Sequence, residues 1–415
     1  MIIISEQSHN LHCDIYMVKM AAMVEMLVVL SVLVLMPIVG VAADWGSSSN
    51  FKCPKAFWIF GDSLTDTGNS QASFPTASRL YPPYGMSYTF RDKPGFNRYS
   101  DGRLIVDFVA QAFDHPFYGT YAHALNGANY LRGANFAYAG ADANATAFLT
   151  PFHLNIQVDD FLNFKSKALD TGFYFPDPKG PYQPVLNAFI DGAYFIPEIG
   201  GNDLAVATNA LNLPAPVVIA AFVPAAAAAV KTAITTLHDS GARLFFVGNT
   251  PPQGCNPAQL TLFDNRPKDS LNCVDDINSI NRAYGTALRQ VVDQLRTSFS
   301  GDGTQIYYID NYNASIEIYT NPGTYGFTNT QQACCGSGGP YNYNSAFTCG
   351  NVVSCCPGQS ACATPGSYVA WDGIHYTQAF YRQLAKFFLN GQFVSPALNL
   401  TAECHLDFTD FYKVK

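Results

Sequence analysis

Apolar residues fall into two recurring patterns along the chain: short unbroken runs, and longer stretches in which they return every three or four positions. Ala56-Phe57-Trp58-Ile59-Phe60 is unbroken and stops at Gly61, as expected of a strand buried on both faces. Ala134 to Ala139, Ala193 to Ile199, Arg243 to Val247 and Gln305 to Ile309 predict four more strands. The segment Asp275 to Thr297 instead places Ile277, Ile280, Tyr284, Leu288, Val291 and Leu295 on one helical face. The Ala-rich segment Val217 to Leu237 predicts a helix ending near Gly241, with Pro224 expected to kink it or mark its start. Tyr376 to Leu389 predicts the last helix. Strands alternating with helices predict an α/β fold, a three-layer α/β/α sandwich with a mainly parallel five-stranded sheet. Such sheets carry their sites beyond the carboxyl ends of the strands. Tyr81 to Phe96 reads as a loop, and so does Ala333 to Pro365, which is longer than most loops.

Composition narrows the class. The 415 residues are 48% hydrophobic and 13% charged with a net charge of −8, enough apolar content for a core. No cluster of Lys and Arg interrupts the acidic balance, so a nucleic-acid partner is not expected. Near the N-terminus, Leu27 to Leu35 is apolar apart from Ser31, and the run continues to Val41-Ala42-Ala43, small residues of the kind a signal peptidase reads. Residues 1–43 are therefore read as an N-terminal extension and signal peptide, with Met17 the more natural start, and residues 44–415 as one domain. The mature chain is expected to be secreted and to have no membrane span.

Cysteine usage agrees with an oxidising compartment. Cys13 precedes the apolar run, leaving ten of the 11 cysteines, and six of those crowd the loop at 333–365. No C-x-x-C pair suggests zinc, so disulfides are expected and no metal. Cys255 and Cys273 can clip one loop and Cys53 and Cys404 can tie the two ends, while the connectivity as a whole stays open. Asn144, Asn313 and Asn399 open N-x-S/T sequons, candidates for glycosylation.

The candidate chemistry sits at predicted strand ends. Ser63, in Gly61-Asp62-Ser63, follows the first strand and is placed to open a helix whose free N–H groups face an oxyanion. Asp62 is read as holding that turn. Gly140 follows the second strand and Asn202 the third, offering a backbone N–H and a neutral amide as further donors. Asp372 and His375, three apart, supply a base and the carboxylate that orients it, which a serine hydroxyl needs to become nucleophilic. Each motif alone is ordinary turn or capping chemistry; their order along the chain is what points to a site.

Together these motifs resemble the GDSL (SGNH) hydrolase family, specifically its plant-type branch. Ser63, Gly140, Asn202 and the pair Asp372 and His375 match its four blocks. Tyr81-Pro82-Pro83-Tyr84-Gly85, Ser100-Asp101-Gly102-Arg103-Leu104, Pro251-Pro252-Gln253-Gly254-Cys255 and Ala333-Cys334-Cys335-Gly336 resemble the plant branch further. The resemblance runs from about Phe57 to Leu389. It implies the flavodoxin-like SGNH fold, no cofactor, and acyl transfer to Ser63 followed by hydrolysis. It also implies lipid, polysaccharide or phenolic esters as substrates, extracellular or cell-wall placement, and an oxyanion hole of the Ser63 and Gly140 N–H groups and the Asn202 amide. Tyr138, Leu204 and Val247-Gly248-Asn249-Thr250 depart from the family pattern, which bears on substrate preference. Three rival readings are an acyltransferase using the same triad, a non-catalytic binding protein, and an aspartic protease suggested by Asp66-Thr67-Gly68 and Asp170-Thr171-Gly172. The last lacks the paired strand-end loops such enzymes need.

Overall fold

The computed structural model describes residues 51–412 except 77–79, 89–96, 123–129, 146–148, 175–182, 347 and 351–360. The apolar N-terminal run, its expected cleavage site, Cys355 and Cys356 lie outside the described residues.

Five strands pair in parallel: β1 (Ala56–Ile59), β2 (Gly133–Asn135), β3 (Gly192–Ile196), β4 (Leu244–Gly248) and β5 (Gln305–Ile309). A sixth, β6 (Val394–Ser395), joins antiparallel to β5, so the sheet has six strands rather than the five expected. Two residues carry too little pattern to be seen in sequence. The strand order is β2-β1-β3-β4-β5-β6. The chain leaves β1 to one side for β2 and returns to the other for β3, which makes β1/β3 the switch point where such sheets bind ligands.

Strand side chains alternate between two cores, and both are apolar. Trp58, Phe60, Tyr194, Ile196, Phe245, Val247, Ile306 and Tyr308 face one side. Phe57, Ile59, Ala193, Phe195, Phe246, Tyr307 and Ile309 face the other. The first face is covered by α2 (Leu154–Tyr174), α3 (Ala215–Asp239) and α4 (Asp275–Ser298); the second by α1 (Ile105–Ala112) and α5 (Gln378–Leu389). The three-layer sandwich follows from that double burial.

Helix α4 occupies its predicted stretch, burying Ile277, Ile280, Tyr284, Leu288 and Leu295, whereas Val291 packs at the core's margin. Pro224 neither starts nor ends α3, because Pro216 in the first turn already provides a favourable start and the apolar face through Val218, Val230 and Ile234 stays packed. Helix α3 is long and apolar enough to cross a membrane by length and composition, yet this face lies in the core. Strands β2 and β3 are shorter than expected. Pro197, lacking an N–H, follows β3 directly. After β2, the Asn69 amide takes the carbonyls of Asn135 and Ala137, both at 2.9 Å, while Asn135 Oδ1 accepts the Ala137 N–H.

Among the described residues there are four disulfides: Cys53–Cys404, Cys255–Cys273, Cys334–Cys362 and Cys335–Cys349. The first two match the pairs read from sequence; the others resolve part of the crowded loop.

Candidate active site

Ser63 lies just past the carboxyl end of β1, in a turn rather than at a helix start. The turn is held by Asp62, whose carbonyl accepts from the N–H groups of Thr65 (3.0 Å) and Asp66 (2.8 Å), and whose Oδ1 accepts from Leu64 N–H (3.0 Å). The next helix, Asn69–Ser73, begins later. Gln157 on α2 clamps Gly61 from both sides, accepting its N–H and donating to its carbonyl, each at 2.9 Å. Among the described residues no hydrogen bond engages the Ser63 hydroxyl, its N–H, or the N–H of Gly140. Hydroxyl and donors are thus left for a substrate.

The second and third motifs meet through a side chain. Asn202 stands in the short helix Gly201–Ala205 after β3, and its Nδ2 donates to the Ala141 carbonyl at 2.8 Å, next to Gly140. Asn202 Nδ2 also lies 3.5 Å from Asp62 Oδ2, too long for a strong bond. Gly140 adopts φ +78°, a conformation that favours glycine. Buried Asp66 fixes the approach to it, with Oδ2 accepting from Ala139 N–H at 3.0 Å. Asp66 also takes the N–H groups of Gly68 and Asn69 at 2.7 Å, and Asp170 lies within α2. The two D-T-G aspartates therefore do not form a facing pair. Tyr138 stacks on Phe152, centroids 4.0 Å apart, beside this turn.

The base and its carboxylate arrive together. His375 Nδ1 is 2.8 Å from Asp372 Oδ2, an arrangement in which a neutral imidazole donates through Nδ1 and presents Nε2 as acceptor. Asp372 Oδ1 accepts the N–H groups of Ile374 and His375, both at 2.7 Å. Oδ2 also accepts from Tyr84 O–H at 2.7 Å. Burial alone raises the Asp372 carboxyl, but the charge attraction and hydrogen bonds of His375, with Tyr84, outweigh it and hold the group below its ordinary value. The Tyr99 ring lies over the imidazole at 5.1 Å.

Parts of these motifs line one cleft. Asp62, Ser63, Glu198 and Asn202 line it from the β1 and β3 ends, and Ile374 and Tyr376, flanking His375, line it from the other wall. Asp62 also feels the His375 charge. The wall is anchored to the disulfide-rich loop: Cys334 N–H donates to the Ala370 carbonyl (3.0 Å) and Cys335 N–H to Trp371 (2.7 Å). The other Asp–His neighbours lie elsewhere. His238 is taken by Asp302 at 2.6 Å and stacks on Phe299, at the helix end that leads into β4's amino terminus. Burial lowers the His115 imidazole to about 4, and its ring packs near Phe57 at the start of β1.

Sequence reasoning missed Tyr84 and Glu198. Tyr84 stands in the Tyr81-Pro82-Pro83-Tyr84-Gly85 stretch, which signals no partner, and its partner lies 288 positions away. Glu198 was counted within a strand. Of the three sequons, Asn313 and Asn399 are exposed and Asn144 is half-buried, with its N–H on Asp203 at 2.9 Å.

Comparison with known proteins converges with this geometry. The family model described as GDSL-like Lipase/Acylhydrolase matches residues 58–388. A GDSL esterase/lipase of Arabidopsis thaliana is 34% identical over 83% of this chain and 88% of its own. An esterase of Hevea brasiliensis is 33% identical over 84% and 89%. Acetylajmalan esterase 2 of Rauvolfia serpentina is 34% identical over 81% and 90%. The chain belongs to the GDSL-like lipase/acylhydrolase family and is an ester-bond hydrolase.

Proposed function

We propose that this hydrolase is a secreted serine esterase in which Ser63 is the nucleophile, His375 the general base and Asp372 the residue that orients it. His375 Nε2 takes the Ser63 proton as Oγ attacks the ester carbonyl, and returns it to the departing alcohol. Water then attacks the acyl-serine by the same route in reverse order. The N–H groups of Ser63 and Gly140 and the free amide proton of Asn202 stabilise the oxyanion in both steps. The observation that carries this reading is that Ser63 and Asn202 line one cleft with Ile374 and Tyr376, the two neighbours of His375, whose imidazole is paired with Asp372.

Four disulfides support an extracellular, cell-wall placement for the mature chain, with the segment before residue 44 removed and Asn144, Asn313 and Asn399 as glycan acceptors. Substrates are small-molecule or polymer-borne carboxylic esters of lipids, polysaccharides or phenolics; nucleic acid is not a partner and no cofactor takes part. Purified Ser63→Ala is expected to lose turnover of p-nitrophenyl acetate while keeping the wild-type circular dichroism spectrum. Retained hydrolysis by the folded variant overturns the assignment.

A further inference from the structure

Two acidic side chains sit together behind the nucleophile. Asp62 follows β1 and Glu198 follows β3, and the strand ends approach so closely that a Cβ on Gly61 would lie 2.8 Å from the Glu198 carbonyl oxygen. Both side chains are buried, at 3% and 4% exposure, and each carboxyl acts on the charge of the other. Both line the cleft with Ser63 and Asn202.

Two carboxylates buried together at the ends of neighbouring strands resist ionising at once, because their repulsion adds to the cost of burying each charge. The backbone N–H groups of Leu64, on Asp62, and of Gly201, on Glu198, relieve part of that cost without offsetting burial. Asp66, Asp203, His375, Tyr284, Tyr376 and Tyr381 act on the pair, and among these His375 is the one able to carry positive charge. Burial raises both carboxyls, and Asp62's charge lifts Glu198 further, well above its ordinary value. Among the described residues the buried Glu198 Oε2 has no hydrogen-bond partner, and a proton there makes it a donor.

Among the described residues, Asp62 Oδ2 is the acceptor besides the Ala141 carbonyl that the Asn202 amide approaches, at 3.5 Å. An oxyanion and Asp62 therefore compete for one donor. Building on the serine-esterase reading above, we infer that Glu198 works as a carboxylic acid whose O–H donates to Asp62, leaving the Asn202 amide for the oxyanion and holding the pair at one negative charge. Glu198 is then a positioning residue, acting on the reaction through Asp62 and Asn202.

The test is the pH profile of kcat and KM on p-nitrophenyl acetate for wild type, Glu198→Gln and Glu198→Ala, each checked by circular dichroism. A misplaced donor costs about 10- to 100-fold, so Glu198→Ala is expected to lose that much in kcat with little change in KM. Glu198→Gln, whose amide can donate to Asp62 but cannot ionise, is expected to recover most of that loss. Wild-type kcat should decline as pH rises and Glu198 ionises; Glu198→Gln should lose that decline. Infrared difference spectra should show a protonated-carboxyl band in wild type that is missing from Glu198→Gln. Superimposable wild-type and Gln profiles, a Gln variant no better than Ala, or a band unaltered by the substitution each overturn the inference. A serine-directed phosphonate separates this failure from failure of the esterase reading: labelling of Ser63 in all three proteins leaves that reading standing.

Discussion

Replacing Tyr84 with Phe removes one oxygen atom from beneath the dyad and tests how the base is held. The lost bond is 2.7 Å long and ends on the same Asp372 oxygen that receives His375 Nδ1. A hydrogen bond to a charged group contributes about 1.5–3 kcal/mol, so the fold should lose an amount in that range. Asp372 keeps its other three donors, the N–H groups of Ile374 and His375 and the imidazole itself. Only part of the loss should therefore reach the transition state, and ~1.4 kcal/mol corresponds to tenfold. The expected result is a kcat about tenfold lower at unchanged KM on p-nitrophenyl acetate, with a lower Tm. The pH dependence gives a second reading. The Asp372 carboxyl is depressed in the fold, so its contribution to stability is full above the unfolded value and fades as pH falls through the folded value. Removing the Tyr84 bond shrinks that contribution, and the stabilities of wild type and Tyr84→Phe should converge in acid. A normal kcat together with a lowered Tm would refute the claim that Tyr84 positions the dyad, and leave it a packing residue against Trp371.

Three further outcomes follow from the same structure. Asn202→Ala should lower kcat by about 10²–10³-fold with KM little changed, measured by steady-state kinetics; a loss confined to KM contradicts its role as an oxyanion donor. Cys53→Ser should lower stability by about 2–5 kcal/mol in denaturant titration, because the bridge to Cys404 closes a separation of 351 residues; equal midpoints count against it. Burial raises the Asp203 carboxyl to about 7, so its contribution to stability is complete below the unfolded value of 3.8 and is lost as pH rises through about 7. Asp203→Asn should flatten stability against pH across that window, and parallel curves for the two proteins contradict the assignment.

What could be read from sequence followed the range of the forces involved. Strand β5 and helix α4 were legible because both report a local period imposed by a long apolar contact. Strand β2 was read too long, since the residues ending it, Asn69 and Asn135, act through side-chain amides that periodicity does not register. Helix α3 ran through Pro224 because burial of its apolar face outweighs a local backbone penalty. In the site, Ser63, Gly140, Asn202, Asp372 and His375 stood out because each belongs to a short motif in a set order. Glu198 belongs to none, and Tyr84 stands in a stretch to which the sequence assigns no nucleophile, base or oxyanion donor. Their roles arise from contacts made only when distant segments fold together, Tyr84 onto Asp372 and Glu198 onto Asp62. The β1/β3 switch point likewise appears only with the strand order.

The central claim is that one hydroxyl carries the acyl group. Incubating the native protein with a fluorophosphonate and mapping the adduct by peptide mass spectrometry tests it most directly. The account predicts stoichiometric modification of Ser63 in step with loss of esterase activity, and no adduct in Ser63→Ala. An adduct on another residue, or full activity in protein whose Ser63 is modified, contradicts it.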